Sequence, residues 1–283
     1  MSVQPNPFSL QGSGYSQAQM DHFYRAFATG NIKPTSVMNY LQHLVIAHHC
    51  HPGDWVLDVC CGRALQIPLL KQLVPTLGGY IGMDIAQENL QEATELMLTG
   101  DERPPAFPCE FVHGDVTTDL TMLQRRFEVV IYTSALEHME KEAGIASLSQ
   151  VAHVLSPQGR FFLSTPRTRG TPPRKLQHRV HVYEWDREEL EEELRRLGFL
   201  ILGCYGLLSP DQEVVSAALL ERFGPGASAW FETLQAFLPH PFFNPLCAVA
   251  LPEVATELFY VCARTPEQQE RAHARAEKEP IYG

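Results

Sequence analysis

An excess of basic charge is missing from this chain: 22 Lys and Arg stand against 33 Asp and Glu, for a formal net charge of −11. Nucleic acid and anionic membrane are both bound through clustered Lys and Arg. Neither is therefore expected as the partner. No uninterrupted apolar run reaches the roughly 20 residues needed to cross a bilayer, and no stretch reads as a secretory leader. The seven cysteines show none of the paired spacings of a zinc site or a disulfide framework, which makes free thiols the expectation. A local basic run does occur at Arg160, Arg167, Arg169, Arg174, Lys175 and Arg179. It reads as a solvated loop near the active edge rather than a phosphate clamp. The run His48-His49-Cys50-His51 has metal-ligand residue types, but four consecutive side chains cannot converge on one ion. It precedes the turn signal Pro52-Gly53-Asp54 and reads as a solvated helix end, so no metal site is assigned.

Glycine is also scarce at one place where it would be diagnostic. A dinucleotide fingerprint puts three glycines, G-x-G-x-x-G, between a strand and a helix. The corresponding stretch here, Val56-Leu57-Asp58-Val59-Cys60-Cys61-Gly62-Arg63-Ala64, has only Gly62, and it carries Asp58 just before the turn. Small residues there still allow close approach of a ligand to the backbone. The following helix N-terminus favours the ligand's negative groups.

What the chain does contain is 45% hydrophobic residues, enough for a core, and a middle region that alternates strand and helix signals. Helices are predicted over Ser36 to His49, Leu65 to Val74, Gln87 to Leu98, Glu142 to Leu155 and Arg187 to Leu197. Asp186 caps the last of these, with Glu189 completing a capping box, and Gly198 ends it. The alternation predicts an α/β fold, doubly wound, with a mostly parallel sheet and helices on both faces. Strands at Tyr80 to Ile85, Glu110 to His113 and Phe127 to Tyr132 each lead into an acid or a polar turn. Any one of Asp58, Asp84 and Asp115 could be a turn residue. All three at the C-terminal edge of one parallel sheet point to a ligand, because open α/β sheets bind there.

These segments resemble the class I S-adenosylmethionine (SAM) dependent methyltransferases. VLDVCCGRA is similar to their motif V-L-D-x-G-C-G-x-G, with Cys60 and Ala64 where that motif has glycines. Four further segments match in order: Tyr80 to Ile85, Gly114-Asp115-Val116, the stretch Phe127 to Met139 and Leu155 to Pro166. Together they cover about residues 54 to 200. The resemblance implies seven strands, with the last antiparallel beside the sixth. SAM is the implied cofactor and S-adenosylhomocysteine its product. Asp58, Cys60, Gly62, Asp84, Ile85, Asp115, Val116 and Thr133 are implied to bind the cofactor, with Asp84 on the ribose hydroxyls and Asp115 on the adenine amino group. Tyr15 and Tyr24 would cover it from the N-terminal segment.

The implied division is 1–52 as an N-terminal helical cover, 53–206 as the SAM-binding core, 207–256 as an insertion, 257–265 as the last strand and 266–283 as a solvated or disordered tail. The insertion contains predicted helices Gln212 to Arg222 and Ala227 to Phe237, then the aromatic, proline-rich stretch Phe237 to Pro245. It is read either as a lid that shapes the substrate pocket or as a packing or homodimer contact. Glu137, Tyr183, Trp230 and Phe242 are candidates to border the acceptor. His138 and His181 are candidate general bases. The expected function is cytoplasmic methyl transfer to an oxygen or nitrogen of a small molecule, a secondary metabolite being one option. Two alternatives stay open. One is metal-dependent 2′-O-methylation of an RNA 3′ end. The segments Ser134 to His138 and Gln177 to Arg187 resemble the metal-binding segments of those enzymes, with Ser134 and Val180 replacing carboxylates. The other is a non-catalytic SAM-binding module.

Overall fold

A computed structural model describes residues 32–95, 104–118 and 120–264. The elements run α1 (Pro34–His48), β1 (Trp55–Val59), α2 (Ile67–Leu73), β2 (Gly79–Asp84), α3 (Gln87–Thr94), β3 (Cys109–His113), β4 (Phe127–Thr133), α4 (Lys141–Val154), β5 (Leu155–Pro166), α5 (Arg187–Arg196), β6 (Phe199–Leu208), α6 (Gln212–Phe223), α7 (Pro225–Phe237), α8 (His240–Ala248) and β7 (Glu257–Arg264). The seven strands form one sheet in the order β3-β2-β1-β4-β5-β7-β6. The first five are parallel. β7 inserts antiparallel between β5 and β6, which agrees with the expected arrangement.

Burial explains why the strands read as they do. β2 and β7 are buried along their whole length, as strands covered on both faces must be. One face of the sheet packs Leu57, Met83, Val130, Tyr132, Phe161 and Trp185 beneath α4 and α5. The other packs Val56, Tyr80, Val129, Ile131 and Phe162 against Ile46 of α1 and Ile67 of α2. Edge strand β6 leaves Leu200, Leu202 and Tyr205 exposed.

The insertion holds three helices rather than the two expected. The stretch rich in proline and aromatics becomes α8, with Pro241 in its first turn and Pro245 inside it. A first-turn proline loses nothing because that N–H has no helical partner. The interior proline forfeits one hydrogen bond, and burial of Phe243 and Cys247 offsets it. Those two join Val215, Leu219, Phe231 and Leu251 in a small core of their own. α8 lies directly on β6: a Cβ on Gly206 would stand 2.2 Å from the Ala248 carbonyl oxygen, so only glycine permits this approach.

Two local expectations are corrected. Asp186 does cap α5, accepting from the Arg187 N–H, but Glu189 does not close a capping box. Its carboxylate is drawn instead to Lys141 Nζ at 2.6 Å, Tyr183 Oη at 2.5 Å and Arg174 at 2.7 Å, where charged donors outbid a backbone N–H. The basic run is not a uniformly solvated loop either. Arg167 is buried and donates to the carbonyls of Pro252 and Glu253 at 3.1 and 2.7 Å. Arg174 spans Gly170 O, Glu184 O and Glu189. Both arginines tie the 167–186 loop to its neighbours.

Candidate active site

The strand order reverses between β1 and β4, and a crevice opens at such a point beyond the C-terminal ends of the strands. The loop after β1 lies there. Cys60, Gly62 and Ala64 all have left-handed backbone, with φ of 56°, 55° and 57°. The two residues that replace glycine therefore occupy conformations that cost a side chain about 1–2 kcal/mol. Among the described residues, nothing lies within 4 Å of where a Cβ on Gly62 would be. Cys60→Gly is expected to leave the urea midpoint within about 1 kcal/mol of wild type, because relief of strain offsets the lost thiol packing. Cys60→Val is expected to lower stability by about 2 kcal/mol or more, since a β-branched residue tolerates this φ least. Equal midpoints for the two variants would refute this account of the loop.

Asp84, at the end of β2, holds the loop. Its Oδ2 accepts from the Gly62 N–H at 2.8 Å, and its Oδ1 from the Ala86 N–H at 2.8 Å and Asn89 Nδ2 at 3.4 Å. Next to it Ile85 is 67% exposed among the described residues, an apolar surface at the crevice. Asp58 faces inward, accepting from Tyr80 Oη at 2.7 Å. Burial, with a smaller push from Asp84, raises its pKa from 3.8 to about 7. Folding thus takes up a proton between those values, so stability falls as pH rises from about 4 through 7. Asp58→Asn removes this dependence while keeping an acceptor for Tyr80. Its melting temperature should exceed wild type at pH 8, by an amount corresponding to about 1–3 kcal/mol, and the gap should shrink at pH 5. A gap independent of pH would rule out a proton on Asp58.

The remaining predicted cofactor residues fall less uniformly. Asp115 turns back on its own chain, its Oδ1 accepting from the Thr117 N–H and hydroxyl, each at 2.8 Å. Val116 is buried in the core. Thr133 ends β4 half-buried, beside Ser134 at φ 51°. Tyr15 and Tyr24 lie outside the described residues. Burial and the surrounding carboxylates push the Cys60 and Cys61 thiols well above their ordinary pKa, which leaves them protonated and poor nucleophiles.

A second group assembles at the same edge, beyond β4 and β5. The turn Leu136–His138 buries Glu137, whose carboxylate accepts from Thr165 Oγ1 at 3.1 Å. Burial raises the Glu137 pKa, with the backbone hydrogen bonds, His138 and Thr165 opposing. Its backbone carbonyl accepts from the N–H of Val182 and of Tyr183, at 2.7 and 3.2 Å, which brings the 177–185 segment against the turn. His138 and His181 meet edge to face with ring centroids 5.3 Å apart. Ligand atoms of Glu137, His138 and His181 all lie within 4.8 Å of one another. The structure thus joins the two candidate bases with Glu137. This donor set of one carboxylate and two imidazoles could hold a divalent ion, as the resemblance behind the RNA alternative implied.

Of the other candidates, Tyr183 spends its hydroxyl on Glu189 and packs its ring on Trp185. Trp230 and Phe242 are exposed on α7 and α8, whose core takes their neighbours Phe231 and Phe243 instead.

Two buried acids at this edge escaped the sequence reading. Glu184 sits beneath His181, 2.5 Å from its Nδ1. Glu257 starts β7, paired in register with Pro166 and Leu208. Burial, reinforced by Glu137 and Glu184, pushes its pKa well above the usual carboxylate range. Glu184 was visible in principle, three residues after His181. Glu257 was not, since it reaches this edge only through the insertion of β7 into the sheet.

Residues 56–159 match a family model described as "Methyltransferase domain". A Streptomyces fradiae protein described as an uncharacterized 37.1 kDa protein in transposon TN4556 is 25% identical over 176 residues, 56% of this chain and 48% of that protein. The chain thus spans about half the length of that relative. Among solved structures, a TehB-like SAM-dependent methyltransferase from Corynebacterium glutamicum superposes with a TM-score of 0.53 at 12% identity, covering 88% of this chain and 97% of the other. The small RNA methyltransferase HEN1 superposes with a TM-score of 0.53 at 16% identity, covering 80% of this chain and 26% of the other. These two likenesses establish the fold. Among the described residues, no helix is long and apolar enough to cross a membrane.

Proposed function

We propose that this chain, whose residues 56–159 match a family model described as "Methyltransferase domain", transfers the methyl group of SAM to an oxygen or nitrogen of a small molecule, in the cytoplasm, releasing S-adenosylhomocysteine. The observation that carries this reading is the left-handed loop Cys60–Gly62–Ala64, pinned by Asp84 at the same sheet edge as the paired histidines. The open space over Gly62 and the exposed face of Ile85 fit such a cofactor. Asp84 and the Gly62 backbone would hold it, with Ile85 against an apolar face. When bound, SAM supplies a methyl group already activated by its sulfonium. The chain's own task is to align the acceptor, which can supply roughly 7–11 kcal/mol in favourable cases, and to take a proton. His181 is the base: its Nδ1 is engaged by Glu184, which leaves Nε2 to accept the proton of a hydroxyl or amine. Trp230 and Phe242, exposed on the insertion, suit an apolar or aromatic acceptor that draws the insertion over it.

A second reading has one observation in its favour. The Glu137, His138 and His181 cluster would suit a divalent ion and an RNA 3′-terminal hydroxyl. Against it stand the net charge of −11 and Ser134 in place of a further carboxylate.

The test is transfer of labelled methyl from SAM to a panel of phenols, catechols and amines, run beside a short single-stranded RNA, with and without chelator. Chelator-insensitive labelling of a panel member supports the small-molecule reading. Labelling of the RNA alone, lost with chelator, replaces it with the second. SAM binding without transfer to any of these favours a non-catalytic module.

A further inference from the structure

Glu184 has no role in the chemistry described so far, yet its side chain is fully buried beneath the active edge. Two donors and one ring nitrogen converge on its carboxylate. The Gln177 backbone N–H reaches Oε1 at 2.7 Å, the Thr168 hydroxyl donates to Oε2, and His181 Nδ1 lies 2.5 Å from Oε1. The surrounding loop is itself fixed. Arg174 donates to the Glu184 carbonyl at 2.8 Å, and the Thr168 N–H donates to the Trp185 carbonyl at 3.1 Å. A carboxylate held on both oxygens cannot swing to follow the imidazole, so the imidazole must conform to it.

We propose that Glu184 is a positioning residue that holds His181 in the tautomer with its proton on Nδ1 and a bare Nε2 at the reaction site. An ionised carboxylate can only accept, so Nδ1 must carry the hydrogen. A neutral imidazole carries one ring proton, and Nε2 is then left with a free lone pair. The neighbouring ring is wired alike: His138 Nδ1 lies 3.2 Å from the Val180 carbonyl, another group that can only accept. The two rings therefore present lone pairs of the same kind beside Glu137. Glu184 differs from that carbonyl in being a side chain, so its effect can be removed without moving the backbone.

This inference rests on His181 serving as the base, and the two can fail separately. The experiment is long-range 15N–1H correlation on the full chain labelled with 15N-histidine, with His181 assigned by its loss in His181→Gln. In wild type at pH 8, the expected spectrum has hydrogen on Nδ1 and none on Nε2. In Glu184→Leu no acceptor faces Nδ1, and the expected result is transfer of most of the population to the opposite tautomer. A His181 signal with hydrogen on Nε2 in wild type overturns the proposal and needs no variant to fold. An unchanged tautomer in folded Glu184→Leu overturns it equally. Full methyl transfer by His181→Gln would instead remove the base and leave the wiring intact.

Discussion

Asp84→Ala is expected to weaken SAM binding by at least tenfold, about 1.4 kcal/mol, and to lower the stability of the chain as well. The double effect follows from what the carboxylate holds. It accepts the Gly62 N–H through one oxygen and the Ala86 N–H through the other. Alanine leaves both donors without that partner at a nearly buried position, and each buried orphan costs about 1–3 kcal/mol. The Gly62 bond closes a loop between residues 22 apart in sequence, in a segment where Cys60 and Ala64 already sit at φ near 57°. Without it those two residues can relax to negative φ, and the crevice over Gly62 closes. Calorimetry with SAM and S-adenosylhomocysteine, run beside thermal melts, separates the two losses. Asp84→Asn keeps one acceptor oxygen, so it should recover part of the stability and less of the affinity. Wild-type affinity in Asp84→Ala would place the cofactor away from this loop.

His181→Gln should lower kcat by about 10²- to 10⁴-fold, the usual contribution of a general base, with SAM affinity unchanged. Glutamine is near in size and keeps a polar partner for Glu184, so the loop should hold its shape. His138→Gln should cost less. His138 is exposed and its Nδ1 meets only a backbone carbonyl, whereas His181 is half-buried over a fixed carboxylate. Steady-state rates for the acceptor that the labelling panel selects, beside SAM calorimetry, check both. Equal losses in the two variants, restored by added divalent ion, would instead fit shared ligation of a metal. A wild-type kcat in His181→Gln would leave alignment alone to account for the rate.

Much of this was legible in the sequence because it is local. The strand-turn-helix order around Val56 to Ala64, the acids at strand ends and the helix signals depend on neighbours a few residues apart, and those elements fall within a few residues of where they were expected. Asp58, Asp84 and Asp115 could be found in the sequence, since each lies within two residues of a strand's end. Their partners could not be. Sequence spacing does not reveal that Asp58 faces Tyr80, or that Asp84 reaches the Gly62 N–H. Spacing also misjudged Glu189, because Lys141, 48 residues away, competes for it.

The sequence by itself determined the order of strands and helices, the acidic surface and the small-residue loop, since each is written in composition or short-range pattern. Tertiary structure decided which of those residues meet. His138 and His181 stand 43 positions apart and Glu257 lies 76 further on. They share one edge only because β7 inserts antiparallel between β5 and β6 and the 177–185 segment folds back onto the Glu137 carbonyl. Buried carboxylates such as Glu184 and Glu257 are tolerable only where donors or a retained proton compensate for lost water. That compensation comes from distant segments, which a local pattern does not encode.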